Sequence, residues 1–300
     1  MRINQACDEF LRVCANVRKL SEHTVRAYRL DLARFASFAG PRKNVTSFDR
    51  SALVQYVEYL FTEHHLRETS TKRHVASVRS LYRWLEDEGH VADDPLRGAR
   101  VRIKLPRRLP RVLSRAELAA ILAHPPTGDF ASITARMAAE LLFATGVRVA
   151  ELAALRDDEI DLAAGVITII GKGSRQRRVY IPDAEIRELI VAYRHARNAL
   201  GHTSETFLTN SRGGPASPQH IRRLVRTLAE NAALPRRVTP HMFRHSIATY
   251  LLEEGVDIRY VQRLLGHRSI GTTEIYTHVA DAALKSRVVE RHPRKVILGR

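Results

Sequence analysis

A basic, proline-containing stretch about a third of the way along the chain limits most strongly what this sequence can fold into. Residues 97–111 contain seven arginine and lysine residues and no acidic residue. Pro106 and Pro110 exclude a continuous helix through this stretch, which is typical of a linker. The sequence therefore predicts a first domain over 1–96, an interdomain linker over 97–112 and a second domain over 113–300.

Apolar residues recur at helical spacing through the first domain, which predicts four helices with short connections. The second helix starts at Ser21, a good N-cap residue, and the third covers about 49–63. The fourth begins at a Ser70 cap and ends at Gly89. Two cysteines share one face of the first helix and are predicted to be buried free thiols, Cys7 and Cys14.

Strand patterns appear only in the second domain. A helix is predicted from about 131 to 144, ending at Gly146. The runs 166–170 and 178–181 then flank Gly-Lys172-Gly-Ser, which is typical of a hairpin with the lysine at a mobile tip. The sequence therefore predicts a mainly α fold with a small β-sheet, of the α+β class.

The charge of the chain indicates its partner. The formal net charge is +17, and arginine is used far more often than lysine. One guanidinium group can donate two parallel hydrogen bonds to the oxygens of a phosphate. A basic excess of this size also favours association with DNA through counterion release. No signal-peptide core and no apolar run of roughly 18 residues are present in the sequence. We therefore expect a cytoplasmic, nucleoid-associated protein with no membrane contact.

Two groups of basic residues are predicted to contact DNA phosphates. One group forms a face of the fourth helix, although a charged helix face can also be merely solvated. The other lies in the linker, which could cross a duplex and let the two domains close on it from opposite sides. The predicted contacts are Lys72, Arg73, Arg79, Arg83, Arg100, Arg102, Arg107 and Arg108.

The segment 239–278 contains most of the residues that could take part in catalysis. A Thr-Pro pair favours the start of a helix that carries His241 and Arg244 in its first turn. Unpaired amides and the helix dipole favour an anion there, and a phosphate fits. A following helix ends just before His267, and Tyr276 lies nine residues further on.

The same segment permits a metal-binding interpretation. His241 and His245 are four residues apart, as in a zinc helix, and His267 could be a third ligand. The glutamate of the metalloprotease helix is missing, and Arg244 between the two histidines would repel a divalent ion. We therefore expect no metal and no cofactor, and we predict that His245 faces the core.

Five motifs follow one another in the second domain: Thr145-Gly-x-Arg148-x-x-Glu151-Leu, Gly-Lys172-Gly, His241-x-x-Arg244-His245, Leu-Leu-Gly-His267 and Ile-Tyr276-Thr-His. In order and spacing they resemble the tyrosine recombinases, or phage integrases. Total length is most similar to the compact Xer group of that family. The first domain resembles the family's helical core-binding module, through the pattern Thr24-x-x-x-Tyr28-x-x-Asp31-Leu-x-x-Phe35.

The resemblance implies that Tyr276 attacks a DNA phosphate, forms a 3′-phosphotyrosyl bond and frees a 5′-hydroxyl. A free tyrosine has a pKa of about 10, so it needs a base, and His241 is the candidate. By the same resemblance, Lys172 would protonate the leaving 5′-oxygen.

The remaining implied roles belong to cations and a histidine. Arg148 and Arg244 would hold the two non-bridging oxygens and stabilise the charge that grows on them. His267 would add a hydrogen bond. The covalent intermediate conserves the phosphodiester energy, so neither ATP nor a metal is implied.

The resemblance finally implies site-specific recombination on double-stranded DNA with paired inverted half-sites, in chromosome dimer resolution or in integration and excision of a mobile element. A homotetramer, or a heterotetramer with a second recombinase, would assemble through the C-terminal tail, whose apolar residues 296–298 would dock into a neighbouring subunit. Two alternatives stay open: a type IB topoisomerase-like relaxing enzyme and a non-catalytic DNA-binding regulator on the same scaffold.

Overall fold

The computed structural model describes residues 1–99, 101–104, 111–171 and 176–266. The chain divides into two compact units, Met1–Arg107 and Arg108–Arg300. The described residues are mainly helical and form a single three-stranded sheet, so the predicted mainly α fold with a small β-sheet is confirmed. No helix within these ranges has an apolar stretch long enough to cross a membrane.

The first unit contains the four predicted helices. Ser21 caps the second of them, since its Oγ accepts the amide of Thr24 at 3.4 Å. Asp49 caps the third through the amide of Ala52 at 2.8 Å. The four are α1 (Ile3–Asn16), α2 (Glu22–Ala39), α3 (Arg50–Thr62) and α4 (Glu68–Asp87), with a short 3-10 helix at Val45–Ser47.

The predicted start of the fourth helix at Ser70 is wrong. Arg67 has an extended backbone, and its carbonyl accepts the first helical hydrogen bond from Thr71 N at 2.9 Å. Glu68 follows, and a carboxylate in the first turn suits the positive end of the helix dipole. The N-cap position is therefore Arg67, three residues before the predicted Ser70, and the helix has a charged residue in its first turn where the prediction has a serine cap.

The cysteines of α1 are buried and free, as predicted. Burial, followed by the negative charge of Asp8, raises the pKa of Cys7 to about 12. The thiol therefore stays protonated and unreactive at neutral pH, because the thiolate is the reactive form.

The second unit holds the remaining elements. In chain order they are α5 (Arg115–Ala123), α6 (Phe130–Thr145), α7 (Val149–Ala154), β1 (Ile160–Asp161), β2 (Val166–Ile170), β3 (Gln176–Tyr180), α8 (Ala184–Ala199), α9 (Pro218–Asn231), α10 (Pro240–Glu253) and α11 (Ile258–Leu265), with a short 3-10 helix at Asp157–Glu159 before β1. The elements β1, α8 and α9 were not predicted from the sequence.

Helix α6 lies at the centre of the second unit and packs against α8, α9 and α10. Small side chains on its buried faces, including Ala135, Ala138 and Ala139, let the neighbouring helices approach closely. The helix ends at Gly146, as predicted. This end fixes where the chain enters α7, and therefore where Arg148 lies.

The three strands form an antiparallel sheet in the order β1-β2-β3. Ile170 pairs with Gln176 and Ile167 pairs with Val179. The predicted second strand, 178–181, is therefore wrong at its start, because pairing with β2 begins at Gln176. Along β3, Arg177 and Val179 point inward while their neighbours are exposed.

Candidate active site

Helix α10 begins at the predicted place and carries two predicted catalytic residues in its first turns. Thr239 precedes it with an extended backbone and Pro240 occupies the first turn, although the threonine side chain makes no capping hydrogen bond. Arg244 is buried, with an exposed fraction of 4%. Its Nη1 donates to the carbonyl of Gly146 at 2.5 Å, and its Nη2 donates to that of Leu265 at 2.7 Å. These bonds fix the plane of the guanidinium.

The last carbonyl groups of α11 accept hydrogen bonds from three different arginines. The C-terminal turn of a helix has unpaired carbonyls and a partial negative charge, so it stabilises cations gathered there. Two of the three arginines are the predicted phosphate-binding pair, which the fold brings to one place. The bonds join Arg177 Nε to Leu264 O at 2.9 Å, Arg244 Nη2 to Leu265 O at 2.7 Å and Arg148 Nη2 to Gly266 O at 3.4 Å.

Two glycines make this meeting possible. Gly146 and Gly266 end α6 and α11 in the left-handed conformation, each with φ of 63°. A Cβ atom on Gly146 would lie 2.8 Å from Cδ2 of Leu265. The two helix ends therefore approach each other more closely than a side chain at Gly146 would allow, and Arg244 reaches carbonyls of both.

Glu151, in the first turn of α7, holds two arginines. Its Oε2 accepts the backbone amide of Arg148 at 2.8 Å, and its Oε1 accepts Nη1 of the same residue at 2.8 Å. Arg177 donates from Nη1 to Oε1 at 3.0 Å and from Nη2 to Oε2 at 2.7 Å. Although burial raises it, the hydrogen bonds from Arg177 and Arg148 lower the pKa of Glu151 to about 2, so the carboxylate is ionised.

Arg177 was not among the predicted site residues, because the predicted strand begins one residue after it. The signal that could have found it is the strand alternation: Arg177 lies two residues before Val179 and so shares its inward side. A charged residue at an inward position needs a buried partner.

Two neighbouring histidines have lowered pKa values, which favours their neutral forms. The ring centroids of His241 and His245 are 6.4 Å apart. Loss of hydration, followed by the charges of Arg244, Arg222 and Arg148, lowers the pKa of His241 from its ordinary value. Burial, followed by His241 and Arg244, lowers the pKa of His245 to about 4. His241 is therefore in the form that can accept a proton.

Several predicted residues lie outside the part of the chain that the structure describes. Among the described residues, no group of three or more His, Cys, Asp or Glu side chains could hold a metal ion. The zinc alternative also needs a histidine outside them. The predicted residues outside the described ranges are Lys172, His267, Tyr276, Arg100, Arg107 and Arg108.

Comparison with known proteins identifies the family. Residues 111–283 match the model of the phage integrase family, and residues 7–89 match the phage integrase N-terminal SAM-like domain. The chain belongs to the phage integrase family of tyrosine recombinases. The predicted family is therefore confirmed.

Curated relatives match this chain over nearly its whole length. A tyrosine recombinase of Agathobacter rectalis is 34% identical, with 95% of each chain covered. The tyrosine recombinase XerD of Vibrio cholerae is 34% identical, with 96% of each chain covered. The tyrosine recombinase XerC of Xylella fastidiosa is 34% identical, with 97% of this chain and 98% of the relative covered.

Solved structures share the fold. The XerH recombinase bound to a palindromic difH substrate superposes with a TM-score of 0.76 at 22% identity, covering 95% of this chain and 85% of that chain. The Tn1549 transposon integrase in complex with transposon right end DNA gives a TM-score of 0.74 at 18% identity, covering 97% and 99%.

The predicted DNA contacts in the first unit have different surroundings. Lys72, Arg83 and Arg102 have exposed side chains. Such side chains can meet a phosphate without first leaving a buried partner.

Two other predicted contacts already bond within the first unit. Nη1 of Arg73 lies 2.9 Å from Oδ1 of the fully buried Asp31, while 48% of the arginine side chain stays exposed. Nη2 of Arg79 donates to the carbonyl of Ala99 at 2.5 Å. The Arg73 side chain is therefore held by Asp31 and is partly exposed to solvent. Arg79 instead bonds to the chain that follows α4.

We expect His245 to stay neutral far below the pH at which an ordinary histidine titrates. Its folded pKa of about 4 lies below the ordinary 6.5, so the unfolded chain binds the extra proton between these values. This group therefore removes stability as pH falls from about 6.5 to about 4. NMR of protein labelled with ¹⁵N-histidine, with His245→Asn for assignment, measures the titration, and a midpoint near 6.5 would contradict the described burial.

Proposed function

We propose that this tyrosine recombinase cuts and rejoins double-stranded DNA at specific sites through a 3′-phosphotyrosyl intermediate on Tyr276. The observation that carries the proposal is the meeting of Arg148 and Arg244 at the end of α11, one residue before His267 in the sequence. Two guanidinium groups at one point suit the two non-bridging oxygens of a phosphodiester. The family and the names of the relatives support the same class of reaction.

The covalent step is a transesterification. The phenol of Tyr276 gives its proton to His241, and the phenolate oxygen bonds to phosphorus while the bond from phosphorus to the 5′-oxygen breaks. Lys172 supplies the proton with which the 5′-hydroxyl leaves. The lowered pKa of His241 supports its role, because a neutral imidazole can act as the base. A second 5′-hydroxyl reverses the step and joins a new partner strand.

The arginines act on the charge that develops during this step. Arg148 and Arg244 each contact one non-bridging oxygen, and His267 adds a further hydrogen bond. Loss of one such donor typically costs about 10²–10³-fold in rate. The positive charge that many phosphoryl-transfer enzymes take from magnesium comes here from side chains.

We propose that basic residues of the first unit contact DNA outside the reacting phosphate. We assign phosphate contacts in the first unit to the exposed Lys72, Arg83 and Arg102 and to the anchored Arg73. Solved relatives include a λ integrase dimer on a core site and a tetramer on a Holliday junction. By analogy, four subunits act on two duplexes with paired inverted half-sites, either as a homotetramer or with a second recombinase.

An apolar cavity of the second unit suits the assembly contact. It has a volume of about 350 Å³ and lies between the end of β3 and the segment from α10 to α11. Tyr180 and Tyr260 line it with exposed fractions of 65% and 68%, and contiguous exposed apolar patches mark sites of contact with other proteins. The apolar run Val296-Ile297-Leu298 of a neighbouring copy is the occupant we propose.

We expect Tyr276→Phe to bind a cognate half-site like the parent and to form no covalent adduct, because only the nucleophilic oxygen is lost. A denaturing gel of nicked suicide DNA measures the adduct, and the parent should form it in excess EDTA. Persistence of the adduct in Tyr276→Phe would place the nucleophile elsewhere. A parent chain that binds DNA but forms no adduct would favour the non-catalytic regulator.

We expect truncation after Glu290 to leave binding of one half-site intact and to lower cooperativity on paired half-sites, because the tail no longer fills its neighbour's cavity. Tyr260→Ser should lower cooperativity to a similar degree and add little to the truncation. Leu200→Ser, an exposed leucine outside the cavity, is the matched control. Gel shifts on single and paired half-sites give the comparison. Equal cooperativity in the truncated and full chains would exclude tail docking.

A further inference from the structure

Arg177 uses every nitrogen of its guanidinium within the second unit. Nε donates to the carbonyl of Leu264 at 2.9 Å, and Nη1 and Nη2 donate to the two carboxylate oxygens of Glu151 at 3.0 and 2.7 Å. Only 13% of its side chain is exposed. Because the side chain is largely buried and each guanidinium nitrogen is bonded to Glu151 or Leu264, we look for its role in the reaction through these partners.

Those partners lie in the segments that carry the proposed catalytic residues. Glu151 binds the backbone amide and the guanidinium of Arg148. Leu264 lies at the end of α11, and a Cβ atom on Gly266 would lie 3.2 Å from Cδ of Arg177. The strand of Arg177 begins at Gln176, four residues after Lys172 in the sequence. One side chain therefore ties three segments together.

We propose that Arg177 is a positioning residue for DNA cleavage, which fixes Glu151 and, through Glu151, the guanidinium of Arg148 against the scissile phosphate. The inference rests on the proposed function, since it assumes that Arg148 binds that phosphate.

The division of hydrogen bonds explains why Glu151 needs a second arginine. With Arg177 in place, each carboxylate oxygen accepts one bond from Arg148 and one from Arg177. Without Arg177, one acceptor position on each oxygen opens, and the carboxylate can rotate toward a two-pronged pair with the Arg148 guanidinium. Such a pair would turn the guanidinium away from the phosphate. A displacement of about 1 Å at a reacting group can cost about 10²-fold in rate.

The experiment compares single-turnover cleavage of nicked half-site DNA by the full-length parent, Arg177→Ala, Arg177→Lys, Glu151→Gln and the double variant Arg177→Ala/Glu151→Gln. We expect Arg177→Ala to cleave about 10²-fold more slowly at saturating DNA while its affinity for the half-site changes less than about threefold. Arg177→Lys keeps the positive charge but not the planar guanidinium, so its cleavage rate should lie between those of the parent and Arg177→Ala.

The double variant tests whether Arg177 acts through Glu151. If it does, Arg177→Ala slows cleavage much less in the Glu151→Gln background than in the parent. Arg194→Ala is the matched control, because Arg194 also joins a carboxylate and a carbonyl, through Asp157 Oδ1 at 3.1 Å and Asp157 O at 3.0 Å. Its cleavage rate should equal that of the parent at a temperature where all variants are folded by circular dichroism.

Three results would overturn the inference: parent-like cleavage by folded Arg177→Ala, fully multiplicative effects of the two substitutions, or an equal loss in Arg194→Ala. The proposed function is judged separately by the parent and Tyr276→Phe. If the parent forms no adduct that depends on Tyr276, the function fails. If it does and Arg177→Ala cleaves equally fast, only the positioning role fails.

Discussion

The arrangement of arginines in the second unit depends on the carboxyl end of α11. Its last carbonyls bind arginines from the start of α7, from β3 and from α10. Three guanidinium groups repel one another and lose hydration when buried, so they gather only where negative charge opposes them. The partial charge of the helix end and the ionised Glu151 supply that charge. Residues far apart in the sequence are thereby held at one place.

This arrangement has two chemical consequences. The proposed phosphate-binding arginines are held in place by hydrogen bonds to protein groups, and preorganised donors of this kind are the effective ones in catalysis. The same positive charges contribute to the lowered pKa of His241. The arginines proposed to bind the phosphate thus also favour the neutral form of the neighbouring histidine, which is the form that a proposed base for tyrosine requires.

Local rules explain how much of this could be predicted from the sequence. The glycine that ends α11 and the start of α10 follow from capping preferences, and they place Arg244 without any long-range knowledge. Predicting the role of Arg177 requires the register of β3, which begins at Gln176 and is set by pairing with β2. Arg79 lies on the predicted face of α4, but its bond to Ala99 depends on where the following chain returns. Contacts between distant segments decided both cases, and periodicity does not encode them.

The central claim is that Tyr276 becomes covalently joined to DNA. Mass spectrometry of the trapped complex, after digestion with trypsin and nuclease, tests it most directly. We expect the peptide 269–285 to carry a nucleotide linked through its 3′-phosphate to Tyr276, with the other tyrosines unmodified. A nucleotide on Tyr180, Tyr250 or Tyr260, or a trapped complex whose peptide 269–285 is entirely unmodified, would contradict the account.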